Sequence, residues 1–208
     1  PGRGYVSRGG ILNAVYSPIL NCGILEAARN KKIKDQLVVA LITDIGNDIM
    51  YGVPVEEIIE GLQSLFDTLT EFEASIFVTS IPVDLKRDIG GFYFRILRRV
   101  FFPNSPVEHY QASEAIQAIN KFIIQSLNKN IIAINEMKQF CGIDKIHYSL
   151  FKSRSAWSHI AGNLTGTLDV NAPPKLSVSE LVLSLANNLA RILFTDMLRM
   201  VNKTNETF

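Results

Sequence analysis

Cysteine is scarce in this chain: Cys22 and Cys141 are the only two among 208 residues. Two thiols cannot build the disulfide framework of a small secreted scaffold, and their scarcity fits a reducing compartment, so a cytoplasmic setting is expected. Neither has a His or a second Cys at metal-ligand spacing, so no metal and no cofactor are expected. An excess of one charge is missing as well. The 21 basic and 20 acidic side chains leave a net charge of +1, which excludes the basic footprint of a nucleic-acid-binding domain. No apolar run reaches the length that spans a bilayer. Low-complexity segments and internal repeats are absent, which excludes solenoids and arrays. The opening PGRGYVSRGG has neither an initiator Met nor a charged-then-apolar leader, and no targeting signal is read from it.

What the chain does have is apolar patterning. Hydrophobic residues make up 47% of it, enough for one sizeable α/β domain with a C-terminal appendage. Residues 36–43, QLVVALIT, form a continuous apolar run that predicts a strand buried on both faces of a parallel sheet. In VEEIIEGLQSLFDTLTEF, Ile58, Ile59, Leu62, Leu65, Phe66 and Leu69 recur at helical spacing behind an acidic first turn. ASIFVTSIP (74–82) predicts a second strand, and FYFRILRRVFF a helix ended by Pro103. SPVEHYQASEAIQAINKFIIQSLNKN follows as a helix with Ser105 as N-cap and Pro106 at its first position. IIAINE (131–136) predicts the third strand. Strands alternating with helices predict an α/β fold, a three-layer α/β/α sandwich with a parallel sheet. The domain is expected over residues 1–165 and a helical appendage over 175–202.

In open parallel sheets the chemistry gathers beyond the carboxyl ends of the strands. The predicted strands deliver TDIGND, SIPVD and QFCGIDKIHYS to that edge. Asp144 and His147 stand as D-x-x-H, a spacing that lets one short turn present both side chains. An imidazole held by a carboxylate takes a proton from a nucleophile and returns it to a leaving group. Asn47 adds an amide donor of the kind that stabilises an oxyanion, and the PGRG loop offers backbone N–H groups. Plainer roles exist for each: a turn residue for Asn47, since Asn and Asp close turns with their own side chains, and a surface or capping residue for His147.

Taken in order, these segments resemble the SGNH (GDSL-type) esterase and lipase family over roughly residues 1–160. GND resembles its third block, DKIH its fifth, and GRGY followed by ILNCGILEA its second. The resemblance implies a flavodoxin-like sheet and acyl-ester hydrolysis by a Ser-His-Asp mechanism. It makes Asn47 the oxyanion donor, His147 the general base and Asp144 its orienting partner, with Gly2, and next Gly4, as the second-block glycine. The family's first block, with the nucleophilic Ser, would precede that glycine. Ser7, Ser149 and Ser153 do not occupy that position, and no G-D-S motif occurs. Either the Ser lies upstream of Pro1, or the chain is an inactive relative that binds an acyl or glycan ligand or serves as an assembly module. Hydrogen bonding favours the first, because a sheet without its central strand leaves unmade bonds costing about 1–3 kcal/mol each.

Two further segments bear on partners. FYFRILRRVFFP joins aromatic residues to Arg95, Arg98 and Arg99, which suits a lid or a surface meeting lipid or acidic substrate, or else an insertion helix with a solvated basic face. The segment after NAPPKLSVSE is apolar on more than one face. Such a helix packs on a neighbouring subunit to form a homo-oligomer, on the domain's flank, or on a membrane surface. A small ester or acylated molecule is the expected substrate.

Overall fold

The computed structural model describes residues 4–9, 16–31, 36–142, 145, 147–149 and 151–170. These form a mixed α/β fold around a small sheet. Strands β1 (Val39–Ile42), β2 (Ser75–Thr79) and β3 (Ile131–Ile134) lie in the order β1-β2-β3, and both pairings are parallel. In register, Ile42 lies beside Val78 and Thr79 beside Ile134. Each predicted strand is present, but pairing covers only part of each apolar run.

Seven α-helices accompany the sheet among the described residues: α1 (Ile24–Lys31), α2 (Asn47–Met50), α3 (Val55–Glu71), α4 (Leu85–Asp88), α5 (Gly91–Phe101), α6 (His109–Ser126) and α7 (Ser153–Leu168). None is long and apolar enough to cross a membrane. Strand β2 is buried on both sides, with Ile76, Phe77 and Val78 at 0% exposure, as its β-branched and aromatic composition requires. Alternation along the strand divides the core. Ile76 and Val78 join the larger cluster, with Ile58, Leu62 and Phe66 of α3 and Ile119 and Ile123 of α6. Phe77 joins a smaller one with Ile134, Met137 and the α7 residues Ala156 and Ile160. Phe66 stacks on Phe122, tying α3 to α6.

The start of α6 differs from expectation. Ser105 and Pro106 do not begin the helix, which starts at His109 behind a capping box of Glu108 and Gln111. The Glu108 amide donates to Gln111 Oε1 at 2.8 Å. Arg98 of α5 donates to the Val107 carbonyl and to Glu108 Oε1, so residues 107 and 108 are held as the approach to the helix. Ser105 Oγ instead accepts from the Val107 amide at 3.3 Å. Helix α7 is not among the elements that the sequence pattern predicts, and it continues past residue 165 to Leu168. The predicted helix over 175–202 lies outside the described residues.

A single buried carboxyl group joins the N-terminal segment to this frame. Asp48 has 0% exposure. Its Oδ2 accepts from the Tyr5 amide at 2.6 Å and, at 3.4 Å, from that of Val6; its Oδ1 accepts from the Ser7 amide at 2.9 Å and from Ser7 Oγ. Converging donors are what make a buried carboxyl group tolerable. Gly4 permits the approach, because a Cβ there would overlap Asp48 Oδ1 and Ser7 Oγ. Gly61 plays the same part on α3, where a Cβ would overlap Val6 Cγ1.

Asp48→Ala removes both acceptor oxygens and orphans the Tyr5 and Ser7 amides, at about 1–3 kcal/mol each. It is expected to lower the unfolding free energy by about 3–5 kcal/mol, read as a fall in the urea midpoint. Asp44→Asn is the control: Asp44 is exposed with φ 57°, a conformation Asn also adopts, and its change should stay within about 0.5 kcal/mol. Equal losses in the two variants would refute the anchoring role of Asp48.

Candidate functional site

The carboxyl ends of β1 and β2 open into a cavity of about 520 Å³, within the roughly 300–1,000 Å³ typical of small-molecule sites. Its mouth is polar. Thr43 and Asp44 follow β1, Thr79 ends β2 with Ser80 just beyond it, and Asn47 begins α2. His147 and Tyr148 come from the loop after β3. The remaining wall is mostly apolar: Ile49 and Met50 from α2, Phe94 and Leu97 from α5, Ala112 and Ile116 from α6. The location agrees with the rule that open parallel sheets gather ligands beyond the strand ends.

Local structure explains how the loop presents His147. Cys141 and Tyr148 form an antiparallel bridge, and within the turn the Gly142 amide donates to the His147 carbonyl at 2.8 Å. Lys145, at φ 61°, supplies the left-handed residue that closes the reversal. His147 is thereby exposed at the rim, its ring 5.5 Å from that of Phe101 between centroids. The Tyr148 phenol is pushed up to about 12, first by burial, then by the nearby Asp44 carboxylate and by Cys141, while a hydrogen bond with Thr79 pulls the other way. Tyr148 is thus a neutral O–H at physiological pH.

The opposite rim is equally fixed. Tyr5 donates its phenol to the Thr43 carbonyl at 2.6 Å, joining the N-terminal segment to the end of β1. Burial and the Asp44 charge hold that phenol well above its ordinary value. Arg98 is the cation of the wall, and its guanidinium is engaged by the Val107 carbonyl and by Glu108, 2.9 Å away. Helix α5 therefore turns Phe94, Leu97, Arg98 and Phe101 to the cavity. Its outer face carries the exposed Phe92, Ile96 and Val100 beside Arg95 and Arg99, so that face is apolar as well as basic.

Of the residues singled out by sequence, Asn47 and His147 line the same cavity. Asp144 and Gly2 lie outside the described residues. Gly4 is buried against Asp48 and Ser7, and its carbonyl accepts from the Ile19 amide at 3.0 Å; it is not part of the lining. Asp48, which the sequence places beside Asn47 in TDIGND, faces inward to the N-terminal amides. Ser7 Oγ is likewise committed to Asp48. Sequence reasoning missed Tyr148, Thr79 and Ser80. The available signal was the TS pair ending the second apolar run and the Tyr that follows His147. Compared with known proteins, the chain matches no family model, no curated protein and no solved structure.

Imidazole, phenol, amide and three hydroxyl-bearing side chains around one mouth can exchange a proton and donate hydrogen bonds to a carbonyl-type ligand. The phenol supplies a test. Below pH 10 Tyr148 is protonated in both folded and unfolded chains, and its full contribution to stability is present. Between 10 and about 12 the unfolded chain loses the proton first, so that contribution is lost as pH rises. The ultraviolet difference titration between the wild type and Tyr148→Phe is expected to show a phenol with a midpoint near 12. A midpoint at the ordinary value would contradict the burial of this hydroxyl.

Proposed function

We propose that this chain is a serine-esterase-like hydrolase of the SGNH type, cleaving acyl esters at the cavity mouth. The observation that carries the reading is the convergence of Asn47 and His147, distant in sequence, on one cavity at the strand ends. In the proposed reaction a Ser hydroxyl attacks the ester carbonyl while His147 takes its proton. Asn47 donates to the oxyanion, and the His147 proton passes to the leaving alkoxide as the acyl-enzyme forms. Water, deprotonated by His147, then releases the acid and restores the Ser. Asp144 is the proposed partner of the imidazole, and Gly2 the source of a second, backbone donor. The proposed architecture is the three-layer α/β/α sandwich of that family, and the helices packed about β2 from both of its faces support it.

The nucleophile has two candidates in this reading. Among the described residues, Ser80 is the serine that lines the cavity. The other is a Ser on a further strand beside β1, whose outer edge has no strand partner among the described residues. The second reading, a binding module without turnover, draws on the commitment of Ser7 to Asp48.

Fluorophosphonate labelling of the purified protein, read by intact mass and peptide mapping, separates them. A label on Ser80, or on a Ser preceding Pro1, establishes the hydrolase and names the nucleophile. An unlabelled protein of unchanged mass overturns hydrolysis and leaves binding. With a turnover assay, His147→Ala is expected to lower kcat/KM by about 10³-fold and Asn47→Ala by about 10²-fold, mainly through kcat. Wild-type turnover in either variant would remove that residue from the proposed mechanism.

A further inference from the structure

The cavity enters the hydrophobic core. Ile45, Val83, Leu85, Phe94, Ala112 and Ile116 line it, and all six are buried members of the main core cluster. Protein interiors pack like organic crystals and hold few voids larger than a water molecule. A cleft of about 520 Å³ that reaches such side chains from an open mouth keeps apolar surface in contact with water, which the fold has no reason to carry for its own stability. The space is built for an occupant.

The walls state what that occupant is. Polar groups sit at the strand-end mouth: Thr43, Asp44, Asn47, Thr79, Ser80, His147 and Tyr148. Beyond them the lining is aliphatic and aromatic, apart from Arg98, whose Nη1 donates to the Val107 carbonyl and to Glu108 Oε1 at the head of α6. Among the described residues no buried side-chain nitrogen or oxygen lacks a hydrogen-bond partner. A sugar would therefore meet no inward donor or acceptor waiting for it, and its hydroxyls would be stripped of water without replacement. An apolar chain loses nothing on entry.

We infer that the cavity is a binding pocket for an unbranched alkyl chain, seated between α5 and α6 with its carboxyl or carbonyl end at Asn47 and His147. As a substrate pocket this rests on the proposed acyl hydrolysis and narrows the substrate to esters of medium- or long-chain fatty acids. As a ligand site it stands without turnover.

The test keeps the two apart. The purified full chain is titrated with cis-parinaric acid, a fluorescent straight-chain fatty acid, and the probe is then competed with dodecanoate or acetate. Binding at about micromolar Kd, reversed by dodecanoate and not by acetate, is expected. Ala112→Phe and Leu97→Trp, which fill the space from α6 and from α5, are each expected to weaken the probe about tenfold or more. Their melting temperatures should hold or rise, since they fill the cleft. If Ala112→Phe does not fold, Leu97→Trp, at a half-buried position, carries the test. On ester substrates the preference for dodecanoate over acetate esters, as a ratio of kcat/KM, should fall about tenfold in both variants. Absent probe binding, equal competition by acetate, or wild-type affinity in folded variants would overturn the pocket. Probe binding without fluorophosphonate labelling defeats hydrolysis alone, and labelling without probe binding defeats the alkyl pocket alone.

Discussion

The site depends on a buried carboxyl group that lies outside the cavity lining. Asp48 lies in the first turn after β1 and gathers the amides of Tyr5 and Ser7 with the Ser7 hydroxyl. With these donors the carboxyl group becomes a fastener between segments more than forty positions apart in sequence. Removing the donors would leave it buried and uncompensated. Tyr5, held by its amide, sends its phenol to the Thr43 carbonyl at the rim of the cavity. The same contact thus fixes the N-terminal segment, the end of β1 and one side of the mouth. Gly4 is required by that closeness rather than by any part in binding.

The cavity shows how a sheet and two helices share one task. Parallel pairing brings the ends of β1 and β2 to a common edge, so Thr43 and Thr79 open on the same space. Helices α5 and α6 then wall that space with side chains that also belong to the core. Arg98 couples the two walls. It reaches from α5 to Val107 and Glu108 at the head of α6, and there it replaces the simple Ser-Pro start written in the sequence. A cation among apolar groups is accommodated because its Nη1 donates to the Val107 carbonyl and pairs with Glu108. Polar mouth and apolar interior together suit a molecule with one reactive end and one greasy end.

Legibility in the sequence followed the reach of the interactions involved. The strands around Leu41, Phe77 and Ile132 were readable, because β-branched runs report burial residue by residue. Helix α3 was readable because Ile58, Leu62, Leu65 and Phe66 mark one face. Helix α7 escaped, since Gly162 and Gly166 interrupt its pattern and only Ala156 and Ile160 are buried. Polar residues misled more than apolar ones. Asn47, Asp48 and Asp44 stand almost together in TDIGND, yet Asn47 and Asp44 line the cavity, Asp44 in a left-handed turn at its mouth, while Asp48 turns inward.

By itself, the sequence determined the three strands and the helices α3, α5 and α6, and that polar residues collect at the strand ends, because these follow from local periodicity and turn chemistry. Only the tertiary structure decided what those polar residues do. The partner of Asp48 is a stretch of backbone amides, which no side-chain pattern announces. The neighbours of Tyr148 come from the first two strands, and the cavity exists only once α5 and α6 stand against the sheet. A carboxyl group's role is set by the donors around it, and those donors are supplied by the fold.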